Sequence, residues 1–129
     1  MNKGNRRGYT LIEALVSVAI ISIGVTSALS GMRAMARAEY RTTQTELASR
    51  LATEKYEEVL ATGEVAQAPL DGNFQDRNQP GFTYRVETEP SPVQNLTIVR
   101  VVVRPADEAS RIEGRATGLT FVPPVEESQ

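Results

Sequence analysis

Apolar residues are concentrated at one end of this chain. From Tyr9 to Met32 runs a stretch of Leu, Ile, Val and Ala with a single charge, Glu13, interrupted by Ser17, Ser22, Gly24, Thr26, Ser27, Ser30 and Gly31. About 20 apolar residues are needed to cross the hydrocarbon as a helix, so the stretch is long enough. It carries too few polar positions to make the wet face of a soluble helix. Beyond it the period changes. Leu47, Ala48, Leu51, Ala52, Tyr56, Val59 and Leu60 recur at spacings of three and four, one face of an amphipathic helix. Glu46, Arg50, Glu54, Glu57 and Glu58 fall on other faces, with Glu46 and Arg50 in a favourable i,i+4 order. No proline precedes Pro69, and Gly63 is a suitable terminator. The pattern predicts one helix from Tyr9 to Thr62, about 80 Å long at 1.5 Å per residue.

The rest of the chain alternates at period two. Phe82, Tyr84 and Val86 share one face of a strand over residues 82–87. Residues 96–104 form a β-branched strand with Thr97, Val99, Val101 and Val103 on one face and Leu96, Ile98 and Val102 on the other, a pattern suited to a central position. A third strand covers residues 117–122, closed by Pro123-Pro124. Residues 63–81, with Asp71-Gly72 and Gln79-Pro80-Gly81, read as a polar loop, and Pro90-Ser91-Pro92 and residues 105–108 as turns. The expected fold is α+β: a long N-terminal helix, hydrophobic in its first half and amphipathic in its second, packed on a small antiparallel sheet. In sequence order this gives a basic leader at 1–8, an apolar helix at 9–32, an amphipathic continuation at 33–62, a sheet domain at 63–122 and a tail at 123–129.

Composition narrows the chemistry. The 129 residues contain no histidine and no cysteine, which removes Cys/His zinc sites, thiol nucleophiles, disulfides and His-dependent triads. A net charge of −2 argues against nucleic-acid binding. Asp71, Asn73, Asp76 and Asn78 offer clustered oxygens, but Gln75 holds the third ligand position of a calcium loop and no Glu closes it, so a turn cluster is the simpler reading. Arg33, Arg37 and Arg41 recur every four residues, fitting lipid headgroups, acids of a partner or a solvated face. Ile112-Glu113-Gly114-Arg115 looks like a protease cleavage sequence and reads as a chance loop.

Three descriptions fit the N-terminal stretch: a cleaved secretory signal, with Ala34-Met35-Ala36 as a candidate cut site, a plain membrane anchor, or a buried helix. The preceding Lys3, Arg6 and Arg7, without any acid, disfavour the buried helix and keep that end cytoplasmic by the positive-inside rule. Glu13 separates the others. A carboxylate in lipid costs on the order of 2.5–3.5 kcal/mol on insertion scales, and a plain anchor gains nothing from it. Snorkelling to the nearby surface is the competing account of this residue. A paired role needs a cation, and the segment contains no Lys or Arg, so the partner is another chain or a new amino terminus.

Gly8-Tyr9-Thr10-Leu11-Ile12-Glu13-Ala14-Leu15-Val16 resembles the leader junction of type IV pilins and type II secretion pseudopilins: a short basic leader ending in Gly, an aromatic, Thr or Ser, two aliphatics, and Glu. Tyr9 departs from the commoner Phe. The resemblance implies cleavage by prepilin peptidase between Gly8 and Tyr9, N-methylation of the amine exposed on Tyr9, and pairing of that amine with Glu13 of a neighbouring subunit. The mature chain would have 121 residues, with 11 Lys and Arg against 16 Asp and Glu. The run Ala14 to Ile21, followed by Ser22-Ile23-Gly24 without a mid-anchor proline, is similar to the I-type minor pseudopilins and the V-type minor pilins.

A structural subunit is therefore expected, not an enzyme, with no cofactor and no metal. Its partners would be prepilin peptidase, sibling minor and major pseudopilins or pilins through the N-terminal helix, and inner-membrane lipid. It would cross the bacterial inner membrane once, with its C-terminal domain in the periplasm. The leading expectation is a subunit at the tip of a filament driving type II secretion. The alternatives are a minor type IV pilin that primes or decorates a pilus, serving adhesion, motility or DNA uptake, and a signal-anchored periplasmic protein that never polymerises.

Overall fold

The structure, a computed structural model, describes Gly8 and residues 10–107 and 109–121. Lys3, Arg6, Arg7, Tyr9 and the tail expected at 123–129 lie outside the described residues. The elements are one long helix, α1 (Leu11–Thr62), and four strands, β1 (Leu70–Phe74), β2 (Gln79–Pro90), β3 (Leu96–Pro105) and β4 (Gly114–Phe121), with short 3-10 turns at Glu64–Gln67 and Gln75–Arg77. The chain divides into two units, Met1–Tyr40 and Arg41–Gln129, and α1 runs through the boundary.

The first unit contains the apolar part of α1. Its large side chains point outward all round, from Leu11 at 84% exposed to Met35 at 76%. Among the described residues, α1 is the one helix long and apolar enough to cross a membrane. Its hydroxyls are satisfied within the helix. Ser17, Ser22, Thr26 and Ser30 each donate to the carbonyl four residues back, at 2.8, 2.7, 2.7 and 2.9 Å. In lipid every polar group needs such an internal partner, so these residues lower the apolarity of the segment without leaving a bare donor.

In the second unit the amphipathic part of α1 packs on an antiparallel sheet of order β1-β2-β3-β4. The expected stripe is the one buried: Ala48, Leu51, Ala52 and Val59 face Phe74, Phe82, Val86, Val99, Val101 and Val103, while Leu47, Tyr56 and Leu60 flank them. The odd-numbered valines of β3 are fully buried, as its alternation requires. β4 contributes little side-chain volume because the helix passes close to it. A Cβ on Gly114 would overlap the backbone of Ala48 and Ser49. The helix ends where expected, at Gly63, whose φ of +74° is the left-handed conformation that glycine adopts without a Cβ penalty.

Several expectations need correction. Residues 63–81 are not simply a loop: they hold β1 and both 3-10 turns, so the sheet has four strands and not three. Leu70 pairs with Val86, Asp71 with Arg85 and Gly72 with Tyr84. Asp71-Gly72-Asn73 has the composition of a turn, and its strand conformation comes from partners ten or more residues away. β2 is longer at both ends than residues 82–87, and β4 starts three residues before Thr117, so Gly114 and Arg115 belong to a strand and not to a loop. Arg50 bonds forward to Glu54 at 3.0 Å, in place of the expected pairing with Glu46.

Candidate functional site

The site begins where α1 begins. Thr10 is the residue before the first helical turn. Its hydroxyl accepts the backbone N–H of Glu13 at 3.3 Å, and its carbonyl accepts from Glu13 at 3.1 Å and from Ala14 at 3.2 Å. Thr-x-x-Glu at a helix start is the capping-box spacing. Glu13 is the acidic residue of the first turn, exposed on the helix surface. The uncapped N–H groups and aligned peptide dipoles there favour a negative charge. The sequence offered Glu13 an outside cation or snorkelling to the surface; this local compensation is a third contribution, and Thr10 three residues earlier is its signal in the sequence.

Gly8 is exposed, with open space where a Cβ would stand. The bond expected to be cut thus has an accessible residue on its N-terminal side, while Tyr9 on the other side lies outside the described residues.

Residues 3–29 match the model of the prokaryotic N-terminal methylation motif. The match contains Gly8, Tyr9 and Glu13 and the first part of α1. It supports a pilin-like or pseudopilin role, and implies processing by prepilin peptidase and pilin-type partners. A membrane-anchored chain fits both the motif and the apolar helix. No curated protein and no solved structure matches the chain.

Two further charged groups lie in the second unit. Lys55 sits on the buried stripe of α1 at 7% exposure, its Nζ 4.6 Å from the centroid of the Tyr84 ring and 3.3 and 3.7 Å from Glu58 and Glu64. Burial alone would push its pKa down. The hydrogen bond to Glu58, with the charges of Glu58 and Glu64 and the Tyr84 hydroxyl, outweighs burial and leaves it raised. Arg77, in the turn between β1 and β2, reaches back to Glu54 at 3.1 Å and to Glu58, tying that turn to the helix.

The outer face of the sheet, away from α1, carries a depression of about 820 Å³ lined in part by Arg85, Glu87, Arg100, Arg104 and Arg115. Its arginines already have carboxylate partners. Arg85 bonds Asp71 at 2.7 Å, Arg100 bonds Glu89 at 3.3 Å, and Glu113 accepts from Arg104 at 2.8 Å and Arg115 at 2.6 Å. Those two hydrogen bonds hold the Glu113 carboxyl below its ordinary pKa. Toward its other end the same face is apolar, with Leu119 and Phe121 exposed opposite Ile98 and Leu96.

Oxygen-bearing residues of the suggested calcium loop are engaged in other contacts. Asp71 is engaged by Arg85, Asn73 Oδ1 accepts the N–H of Gln75, and Asn78 ends its turn at a φ of +58°. Among the described residues no three His, Cys, Asp or Glu are placed to hold a metal. Ile112-Glu113-Gly114-Arg115 leads into β4: Gly114 is pressed on the helix and Glu113 is held by two arginines, which leaves little of the extended, accessible chain that a protease needs.

Proposed function

We propose that this protein is a minor pseudopilin of the I type, a structural subunit that joins sibling pseudopilins at the tip of a periplasmic filament driving type II secretion. It is made with a basic leader, cut after Gly8 by prepilin peptidase, methylated on Tyr9, and held in the bacterial inner membrane by α1 with its sheet domain in the periplasm. The observation that carries this reading is the methylation motif over residues 3–29, set on a helix whose first turn presents Glu13. The I type rests on less: no proline interrupts α1, and the globular part is a small sheet of four strands.

The chemistry of assembly follows from charge in lipid. Cleavage creates an ammonium at Tyr9. Helix N-terminal dipoles compensate Glu13 in part but leave a full charge, and the amine of a neighbour completes the compensation. An ion pair taken out of water stabilises little by comparison with its hydrophobic equivalent, yet losing one member costs about 3–5 kcal/mol. Incorrect register between subunits strands both charges, so the pair selects correct addition.

The test is Glu13→Ala. Processing at Gly8 is expected to continue, while copurification with sibling subunits falls by about 100-fold or more, the equivalent of about 3 kcal/mol. Normal copurification by this variant contradicts the charge-register mechanism. The same motif and unbroken helix serve a minor type IV pilin equally well, and the identity of the copurifying subunits, secretion or pilus, decides between the two.

A further inference from the structure

Arg33, Arg37 and Tyr40 have no part in the processing site, yet they lie together on α1. At 3.6 residues per turn, Arg37 and Tyr40 fall within about 40° of Arg33, on one face and over two turns. All three are exposed, Tyr40 at 64%, and neither arginine enters an ion pair among the described residues. They follow directly on Ala14 to Met32, a run without any ionisable side chain. We propose that Arg33, Arg37 and Tyr40 form a phospholipid-headgroup stripe that fixes the depth of α1 in the bilayer, with the guanidinium groups on the phosphates of anionic lipid and the tyrosine ring at the interface.

Three observations favour lipid over a protein acid. The first is distance. Arg33 stands 20 residues from Glu13, about 30 Å along a helix, and the hydrocarbon core is about 30 Å thick. Seating Arg33 at one phosphate plane therefore brings Glu13 to the opposite edge of the hydrocarbon. The second is the residue pair itself. Tyrosine concentrates at membrane interfaces, where its ring meets the acyl boundary and its hydroxyl meets water. Arginine gives planar, bidentate contacts to phosphate and is always charged. The third is the setting: at the level of the arginines the other faces of α1 carry exposed apolar side chains, Met32 and Met35, about 100° and 160° round the helix from Arg33, as at the end of a lipid-facing segment and not on a wet polar surface.

This inference rests on the membrane-anchored reading above, and it has a consequence for assembly. A helix pinned at its far end holds Glu13 at one height, so neighbouring subunits present their acids and amines at matched depths before they meet.

The chain has no cysteine, so a single introduced one is unique. The full chain carrying Ala36→Cys or Ala14→Cys is spin-labelled, reconstituted in vesicles of phosphatidylcholine with phosphatidylglycerol, and the label depth measured by power-saturation electron paramagnetic resonance. With native arginines the residue 36 label is expected at headgroup level. With Arg33→Gln and Arg37→Gln together it should sink by about 5 Å, one helical turn, while the residue 14 label moves toward water on the other side. Arg33→Lys with Arg37→Lys should hold the native depth. Equal depths in the native and glutamine proteins overturn the proposal. So does a loss of sibling binding with no change of depth, which would assign the arginines to a protein acid. An unprocessed leader in a chain that shows the depth shift sinks the pilin-like reading and leaves the headgroup stripe standing.

Discussion

Glu13 combines two electrostatic environments that usually occur apart: the favourable end of a helix dipole and the edge of a lipid-soluble segment. Thr10 sets the first by capping the turn, and its removal tests this. Thr10→Ala should destabilise the first turn by about 1 kcal/mol, seen as faster amide exchange at residues 12–14. Unchanged exchange would show that the cap contributes nothing. Farther along, Gly114 is the position where a single methyl does most damage. Gly114→Ala drives a Cβ into the backbone of Ala48 and Ser49, which cannot give as a side chain can, and should cost about 3 kcal/mol in thermal or denaturant unfolding of the full chain in detergent. Gly118→Ala meets the Tyr56 hydroxyl, the far end of a movable side chain, and should cost clearly less. Glu113 ties stability to pH. Its folded pKa lies below the unfolded one, so its contribution is complete above about pH 4.5 and is lost as pH falls through the folded value. Glu113→Gln should remove a pH-dependent part of about 1 kcal/mol or less, since both arginines are well exposed. The difference between native and variant stabilities should be larger at pH 7 than at pH 3. Lys55 behaves oppositely: with a raised pKa, its contribution is complete below about pH 10.5 and is lost above it.

At the scale of elements, α1 was legible almost entirely. Its change from uniform apolarity to a stripe and its end at Gly63 follow from local pattern, because a helix makes its hydrogen bonds within itself. β3 was legible for a related reason: Val99, Val101 and Val103 alternate strictly. β1 was not. Asp71, Gly72 and Asn73 have weak strand preference, and their extended backbone depends on pairing with β2 and on Gly72 leaving room for the Tyr84 ring, whose nearest carbon would stand 2.6 Å from a Cβ there. Such a requirement is invisible until the sheet is assembled. Lys55 was missed for the opposite reason. It stands three residues after Ala52 and four before Val59, squarely on the buried stripe, but a charge on an apolar face is passed over unless its partners are known. The clamp from Arg77 onto Glu54 and Glu58 bears on this region. Arg77→Ala should loosen the β1–β2 turn, raising amide exchange at residues 75–79 while leaving β3 and β4 protected. Uniform exchange across the sheet would contradict a local role.

For the whole molecule, the processing chemistry proposed above is concentrated in the first few residues. The methylation motif was legible because its residues, Gly8, Tyr9, Thr10 and Glu13 among them, lie within one short stretch of sequence and need no tertiary contact to come together. The outer face of the sheet was not, because Arg85, Arg100, Arg104 and Arg115 come from three strands and meet only through register. Loss of the leader would also change the molecule's charge. The mature chain would be more acidic than its precursor, having lost three cations and no acid. The proposed role therefore depends on removal of the leader at Gly8. Intact-mass analysis of the native polypeptide, purified from cells with an active prepilin peptidase, measures this directly. A chain that starts at Tyr9 and carries one methyl group on its amine is the predicted result. A chain that still starts at Met1, or one cut near Ala36, contradicts it.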